Sequence, residues 1–345
     1  MSESIFLNVM KGMKTDRPPV WFMRQAGRVL PSYQALRKQY SFQELMEDPA
    51  LTAQVTLLPI EELDVDAAIL FSDILVIPQA LGMKLNFTDK GPQFESPVKD
   101  NRSIIHTLKS DPESFNHIYQ AIDIIKSRLS ADKALIGFCG APFTTLCYMI
   151  QGNSAQHTFN DAIQFVYRYK SETLQLLEHI TELSVEYAVQ QVRHGIDAFQ
   201  LFDTHAGLLP DEFYLELMLP FVRRITSAVR QAGCPVIFFP KGIGLGLKRL
   251  TYDIADVISI DWQASMHEAR LLMDASVGLQ GNLDPRLLSI EDQGILLHAL
   301  EQYKDFGQKN QHWIFNTGHG LMPDNRIENV KLTVEWIKHT HWQRT

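Results

Sequence analysis

Residues 134–142 read Ala-Leu-Ile-Gly-Phe-Cys-Gly-Ala-Pro, a short apolar run that ends in glycine and proline. Seven other short apolar runs recur along the chain, and stretches with helical periodicity follow several of them, such as 161–193, 211–231 and 285–303. The eight runs are 20–23, 67–71, 134–138, 198–202, 235–239, 257–260, 277–280 and 313–315. Near-continuous apolar runs of this length are typical of parallel strands that are buried on both faces. Eight strands alternating with helices predict an α/β protein built as a (β/α)8 barrel.

The main alternative fold is an open doubly wound sheet accompanied by a second, smaller domain. That fold predicts a glycine-rich dinucleotide loop after an early strand. The nearest stretch, Gly-Ile-Gly-Leu-Gly at 242–246, has a different spacing and follows the fifth run, so it predicts a tight turn into a helix instead. The chain of 345 residues is long enough for two domains, but no low-complexity linker divides it. We therefore expect a single domain over residues 1–345, with its site at the carboxyl ends of the strands.

The charge of the chain is unevenly distributed. The formal net charge is −8, which argues against general nucleic-acid binding because phosphate contacts need clustered cations. Residues 1–40 nevertheless hold seven basic and two acidic residues, a net of +5, whereas residues 41–80 hold eight acids and no lysine or arginine. A basic segment on an acidic protein predicts a local site for an anionic ligand.

The cysteines and the apolar segments indicate the cellular compartment of the protein. Cys139, Cys147 and Cys234 lack the number and spacing of a disulfide framework or a structural zinc site, so we expect buried thiols. The first ten residues do not resemble a signal peptide, and no apolar run reaches the ~18–20 residues that span a bilayer. The sequence predicts a cytoplasmic protein that binds neither membrane nor nucleic acid.

Polar residues follow the predicted strands, where a barrel places its chemistry. Arg24 and Arg28 come after the first run on either side of Gly27, and two guanidiniums can bind carboxylates or phosphates bidentately. Their alternative role is an internal salt bridge to one of the acids at 41–80. Asp73 follows the second run and either caps the next helix or faces a ligand.

Other candidates are less specific. His319 lies between two glycines, which suits a ligand-contacting loop, and His205 lacks the neighbours of a zinc ligand. Without further information, Tyr148 is predicted to be an aromatic residue of the core. The sequence has no nucleophile elbow, phosphate-binding loop or zinc-protease motif.

Several motifs together resemble the uroporphyrinogen decarboxylase family. The longest is Pro-Val-Trp-Phe-Met-Arg-Gln-Ala-Gly-Arg at 19–28, and the resemblance runs from about residue 4 to 340. The other matching segments are 71–75, 137–144, 201–204, 281–285 and 316–320. Val29 stands where the family usually has tyrosine, and Ser32 stands where an acidic residue is common. We expect Val29 to alter packing or substrate fit without abolishing activity, and Ser32 to make the basic loop slightly more positive.

The resemblance implies a (β/α)8 homodimer that acts in porphyrin and haem biosynthesis. It implies a carboxy-lyase that converts uroporphyrinogen III, an octacarboxylate tetrapyrrole, into coproporphyrinogen III and four carbon dioxide molecules. No cofactor or metal is expected, because a protonated pyrrole is its own electron sink.

The resemblance also implies roles for individual residues. Asp73 would accept hydrogen bonds from pyrrole N–H groups and stabilise positive charge, and Arg24 would orient substrate and is the candidate proton donor by position. The implied catalytic residues are Asp73, Arg24 and Tyr148. The implied substrate-binding residues are Arg24, Gln25, Ala26, Gly27, Arg28, Asp73, Tyr148, Thr204 and His319, with backbone N–H groups of 25–27 contributing.

Two other functions fit the same resemblance less well. A zinc-dependent corrinoid methyltransferase of the same superfamily needs cysteine and histidine ligands at strand ends, yet cysteine is absent after the fifth and eighth runs. A non-catalytic tetrapyrrole-binding protein would have no need of Asp73.

Overall fold

A computed structural model of the chain describes residues 4–88, 91–153 and 158–344. The strands are β1 (Ala67–Ile69), β2 (Leu85–Thr88), β3 (Gly91–Phe94), β4 (Ala134–Gly140), β5 (Ala198–Asp203), β6 (Val236–Pro240), β7 (Val257–Ser259), β8 (Gly278–Gln280) and β9 (Trp313–Ile314). The α-helices are α1 (Ile5–Met10), α2 (Pro31–Gln39), α3 (Phe42–Glu47), α4 (Pro49–Leu63), α5 (Val76–Ala80), α6 (Asn116–Arg128), α7 (Pro142–Gln151), α8 (Asn160–Arg168), α9 (Lys170–Arg193), α10 (Asp211–Leu217), α11 (Leu219–Gln231), α12 (Met266–Leu272), α13 (Gln293–Lys309) and α14 (Ile327–His339). Short 3-10 helices cover Arg102–Thr107, Pro112–Phe115, Ala206–Leu208, Gly244–Arg249 and Pro285–Ser289.

Seven strands in the described ranges form one parallel sheet in the order β1-β4-β5-β6-β7-β8-β9. Val20 lies between the two edges of this sheet. It forms a parallel bridge with Phe315, just past β9, and its carbonyl accepts a 2.8 Å hydrogen bond from the Asp66 amide, just before β1. The sheet therefore curls into a barrel with residue 20 in the eighth position, and the predicted (β/α)8 architecture is confirmed.

The predicted first strand, 20–23, forms only a single β-bridge. Side-chain amides take the place of the backbone hydrogen bonds that a longer strand would form with its neighbours. The Phe22 amide donates to Oε1 of Gln25, and the Met23 amide donates to Oδ1 of Asn316. Nε2 of Gln25 donates to the Ala67 carbonyl in β1. The segment thus stays attached to both neighbouring strands while its backbone turns out of the sheet.

All three predicted helical stretches are divided in two, and 285–303 consists of the 3-10 helix Pro285–Ser289 followed by α13. The stretch 161–193 breaks at Tyr169, between α8 and α9. The stretch 211–231 breaks at Met218 because Pro220 has no amide hydrogen and its ring excludes a continuous helix. The hairpin of β2 and β3 was not predicted; it forms a separate two-stranded sheet, and its Phe87 contacts Phe42 at a ring distance of 5.1 Å.

A layer of hydrogen-bonded polar side chains fills the barrel interior. Gln280 on β8 donates to Oε1 of Gln200 on β5 at 3.1 Å and to Oγ of Ser259 at 2.5 Å. Its own Oε1 accepts a 2.9 Å hydrogen bond from the Trp21 indole. β5 and β8 are not adjacent, so the contact crosses the interior, and the barrel is a packed core below its open end. None of the described helices is both long enough and apolar enough to cross a membrane.

Candidate active site

A cavity of about 440 Å³ lies at the carboxyl ends of the barrel strands. Its lining combines cationic, acidic and hydroxyl groups with aromatic walls. The polar and glycine positions in the lining are Arg24, Gly27, Arg28, Ser72, Asp73, Thr204, His319 and Gly320. The large apolar positions include Val29, Tyr33, Phe42, Phe71, Phe138, Phe202 and Met322. Such a cavity suits a large apolar ligand that carries anionic groups.

The arginine loop, residues 24–28, is held in place from two sides. Arg24 has φ +60°, in the left-handed region, and its side chain crosses Gly320. A Cβ at Gly320 would lie 2.4 Å from Cδ of Arg24, so only glycine leaves room for the guanidinium stem. The eighth strand's loop therefore positions the first predicted ligand-binding arginine.

Neither Arg24 nor Arg28 forms an ion pair with any residue that the structure describes. Both side chains are exposed, and no carboxylate in the part of the chain that the structure describes lies within 4.0 Å of either guanidinium. The acid at 41–80 that does pair with an arginine is Asp66, whose partner is Arg17. The internal salt bridge considered as the alternative for Arg24 and Arg28 is therefore absent, and both charges remain available to an anion.

Gln25 is fully buried and lies outside the cavity lining, because its side chain joins the loop to β1. The amides of Gln25 and Gly27 donate to Phe22 and Gln25 carbonyls within the turn. In this structure, the loop presents guanidiniums and Ala26 to the cavity while two of its amides stabilise the turn itself.

Asp73 faces the cavity and also caps the turn before α5. Its Oδ1 accepts a 2.8 Å hydrogen bond from the Leu75 amide, so the structure combines the two roles that the sequence left open. Burial raises the pKa of the Asp73 carboxyl, while the Leu75 amide and the Arg24 charge offset part of that rise. A carboxylate in this setting gains free energy from any N–H donor or cation that enters the cavity.

Tyr148 on α7 is not among the lining residues. Its ring packs against Phe159 at 5.1 Å and His205 at 5.5 Å. Burial and the nearby Asp73 charge raise the pKa of Tyr148 to about 12, against the lowering effect of Arg24. Tyr148 is therefore a neutral phenol next to the two charged groups.

His319 lines the cavity as a neutral imidazole. Burial lowers its pKa to about 3, together with the positive charges of Arg24 and Lys241. Its ring stacks on Trp262 with centroids 6.0 Å apart and an interplanar angle of 19°. At pH 7, His319 therefore offers hydrogen bonds rather than charge.

A buried carboxylate supports the end of β5 beneath Thr204. Asp203 accepts 2.5 Å hydrogen bonds from Thr144 Oγ1 and from the Tyr214 hydroxyl. Burial raises the pKa of Asp203 to about 6, because these two hydroxyls only partly offset desolvation. Thr144 also accepts from the His205 amide, so the network joins α7, α10 and the Thr204 loop.

Sequence reasoning missed the aromatic walls and the Asp203 network. Phe138 and Phe202 lie in predicted strands and contact at 5.7 Å, but apolar runs do not distinguish residues that face a cavity from core residues. Tyr33 and Phe42 come from helices and both contact Phe71, at 5.9 and 5.6 Å. In the described ranges, no three His, Cys, Asp or Glu side chains are grouped to hold a metal ion.

Comparisons with known proteins find relatives over nearly the whole chain. The sequence model of the family described as uroporphyrinogen decarboxylase (URO-D) matches residues 1–340. The uroporphyrinogen decarboxylase of Legionella pneumophila (strain Lens) is 36% identical over 343 residues, which cover 98% of this chain and 97% of that relative. The uroporphyrinogen decarboxylase of Schizosaccharomyces pombe is 37% identical, with 97% of each chain covered.

Two solved structures share the fold. A methyltransferase from Methanosarcina mazei aligns with a TM-score of 0.75 and 16% identity, over 98% of this chain and 99% of its own. A B12-independent methionine synthase from Shewanella sp. W3-18-1 aligns with a TM-score of 0.57 and 11% identity, over 83% and 86%. At these identities the likeness concerns the barrel alone.

Proposed function

The chain belongs to the uroporphyrinogen decarboxylase family, and on this premise we propose that it removes the four acetate carboxyls of uroporphyrinogen III as carbon dioxide to give coproporphyrinogen III. One observation carries the assignment of the site. The two unpaired guanidiniums of Arg24 and Arg28 line the same aromatic-walled cavity as the Asp73 carboxylate. A polyanionic macrocycle with N–H groups at its centre needs cations at its edge and an acceptor in the middle.

The chemistry follows from the electron-rich pyrrole. Protonation of a ring carbon makes the ring cationic, and the electron pair of the breaking C–CO2 bond then neutralises that ring. Loss of carbon dioxide leaves an exocyclic methylene group, which takes up a proton to become the methyl group while the ring carbon gives its own proton back. Each carbon dioxide released therefore consumes one net proton and needs no oxidant or reductant. The protein's contribution is to stabilise the cationic ring and to hold the carboxylates in place.

We assign the cation-stabilising role to Asp73. Its carboxylate accepts hydrogen bonds from pyrrole N–H groups and faces the positive charge that develops in the ring. The role requires the ionised form, and the Leu75 amide and Arg24 support that form against the effect of burial. The positive charge of Arg24 attracts and orients the carboxylate of the reacting acetate. Arg28 binds a second carboxylate of the substrate.

The remaining predicted residues complete the polar surroundings. Thr204 and the neutral His319 line the cavity and supply hydrogen bonds, whereas Ala26 and Gly27 leave space at the loop. Tyr148 acts as a neutral phenol beside Asp73, and Gln25 fixes the loop that carries both arginines.

The test is a timed anaerobic incubation of the purified chain with uroporphyrinogen, followed by separation of the oxidised products by fluorescence-detected chromatography. We expect hepta-, hexa- and pentacarboxylate intermediates and then the tetracarboxylate. Tight binding of uroporphyrinogen without these products would instead support the non-catalytic tetrapyrrole-binding function.

We propose further that the chain works as one domain over residues 1–345, as a homodimer in the cytoplasm. The family resemblance supports this assembly, and exposed leucines such as Leu245 and Leu271, at 66% and 87% exposure, are consistent with a surface that pairs. Light scattering coupled to gel filtration decides it. A mass near twice 39.4 kDa is expected, and a mass near 39.4 kDa would contradict the dimer.

A further inference from the structure

A second cationic feature lies next to the cavity, on the loops that follow β6 and β7. Lys241 comes directly after β6, and its Nζ lies 5.2 Å from the centroid of the Trp262 ring. Trp262 in turn stacks on His319, which lines the cavity. The ammonium is thus connected to the cavity wall through one aromatic ring.

The backbone around Lys241 is fixed by its neighbours. The Lys241 amide donates to the Asp203 carbonyl at 3.1 Å. Asp261 accepts from the Gly242 amide at 2.7 Å and from the Gln263 amide at 2.9 Å, which ties the two loops together. Since the main chain is held on both sides of the residue, only the flexible stem of the lysine can move.

The loop that carries His319 is packed equally closely against Trp262. A Cβ at Gly318 would lie 2.2 Å from the Trp262 amide nitrogen, so a side chain at that position would separate the two loops. This contact places the imidazole and the indole together at the edge of the cavity.

The charge on Lys241 is not neutralised. No carboxylate in residues 4–88, 91–153 and 158–344 lies within 4.0 Å of its Nζ. Arg286 also lies over Trp262, at 5.8 Å, but it is paired with Asp284 at 2.5 Å. A cation–π contact contributes only about 0.5–1 kcal/mol at such partly exposed sites, so it holds the ammonium weakly and an anion can replace it.

We propose that Lys241, resting on Trp262, binds a carboxylate of the substrate at the edge of the cavity beside His319. The inference rests on the proposed function, since it assumes a ligand with carboxylates around its whole perimeter. Arg24 and Arg28 lie on one short loop and serve one part of that perimeter. A lysine has a compact charge on a mobile stem, so it can follow carboxylates at different positions as the macrocycle turns between successive reactions.

The experiment compares Lys241→Gln with Lys248→Gln, a matched loss of charge at an exposed lysine on the same loop. We expect Lys241→Gln to raise the KM for uroporphyrinogen about tenfold with kcat within about twofold of the parent. Lys241→Arg should restore most of the affinity, and Lys248→Gln should match the parent in both constants. Equal melting temperatures show that the variants fold.

An unchanged KM in Lys241→Gln would overturn the proposal. This includes a lower kcat at unchanged KM, because that result would mean that Lys241 only positions Trp262 and His319 and does not bind substrate. If the parent chain forms no decarboxylated product, the proposed function fails independently. Quenching of tryptophan fluorescence by added uroporphyrinogen then decides the subsite. The subsite is supported if Lys241→Gln binds uroporphyrinogen more weakly than the parent while Lys248→Gln does not. It is overturned if both variants bind equally.

Discussion

The two ends of the barrel use charged residues in opposite ways. At the amino ends of the strands, an aspartate stands immediately before β1, β5 and β7, and each accepts a 2.8 Å hydrogen bond from a backbone amide of the neighbouring strand segment. Each of these aspartates also pairs with a cation within 3.4 Å. The three pairs are Asp66 with Arg17, Asp197 with Lys126 and Asp256 with Arg230.

At the carboxyl ends, Arg24, Arg28 and Lys241 have no acidic partner among the described residues. The cations at one end thus stabilise the fold, whereas those at the other end are held in position by glycines, backbone contacts and an aromatic ring. An unpaired charge lowers stability substantially only where water is excluded. An open cavity can therefore contain unpaired cations that are available to bind a ligand. The difference predicts that substitutions at the two ends affect different quantities.

The largest effect should come from Asp73→Asn at the cavity end. We expect kcat to fall about 1000-fold, which is about 4 kcal/mol of transition-state stabilisation, because the amide cannot face the cationic ring as a carboxylate does. The KM should change little. Steady-state assays of the product mixture measure both constants, and turnover within tenfold of the parent would remove Asp73 from the mechanism.

Asp66→Asn should do the reverse. Loss of the charge that holds Arg17 and the Val20 amide should lower the free energy of unfolding by about 3 kcal/mol. Turnover per folded molecule should stay the same, because Asp66 lies at the opposite end from the cavity. Urea titration measures the stability, and an assay of kcat at low temperature, where the variant stays folded, measures the turnover. A loss of kcat as large as the loss of stability would contradict the different roles of the two ends of the barrel.

Asp203 gives a pH-dependent test of the network below Thr204. Its folded pKa of about 6 lies above the ordinary value near 4, so the folded state binds the proton more tightly than the unfolded state. This contribution to stability is present below about pH 4 and is lost as the pH rises through about 6, by about 3 kcal/mol in total. The free energy of unfolding of Asp203→Asn minus that of the parent should therefore rise from pH 4 to pH 7. A difference that is flat with pH would show that Asp203 titrates normally.

Gly320→Ala tests how the arginine loop is held. The new methyl group would overlap the Arg24 stem, so we expect kcat/KM to fall about tenfold with little change in stability. The effect should disappear in an Arg24→Ala background, because the stem is then absent. A loss of the same size in both backgrounds would place the cause elsewhere.

The smallest predicted effect is that of salt on the parent enzyme. Since a polyanion meets several exposed cations, the KM should rise about threefold between about 0.05 and about 0.2 M salt. Lys241→Gln should show a weaker dependence than Lys248→Gln. A KM that does not respond to salt would contradict an ionic role for the cavity end.

The strands could be predicted because their signal is local. Each of the seven strands of the barrel overlaps an apolar run, and Arg24, Arg28, Asp73, Thr204 and His319 follow from their positions after such runs. The strand at 20–23 was predicted, but its reduction to a single bridge was not, since that depends on the side-chain amides of Gln25 and Asn316 replacing backbone partners.

The contacts at both ends were also beyond sequence reasoning. Aspartate before a strand is visible in the sequence, but its cationic partners lie about 50–70 residues away or in another helix. The crossing of Arg24 over Gly320 and the stacking of Lys241 on Trp262 join loops that are far apart in the chain. Apolar periodicity predicts elements, and it contains no information on such pairings.

The most direct measurement is a crystal structure of the chain with coproporphyrinogen bound. The account predicts the macrocycle in the cavity, with its pyrrole nitrogens within hydrogen-bonding distance of Asp73 and its carboxylates within about 4 Å of Arg24, Arg28 or Lys241. A macrocycle bound outside this cavity, or one whose carboxylates all face solvent while these three cations stay unpaired, would contradict it.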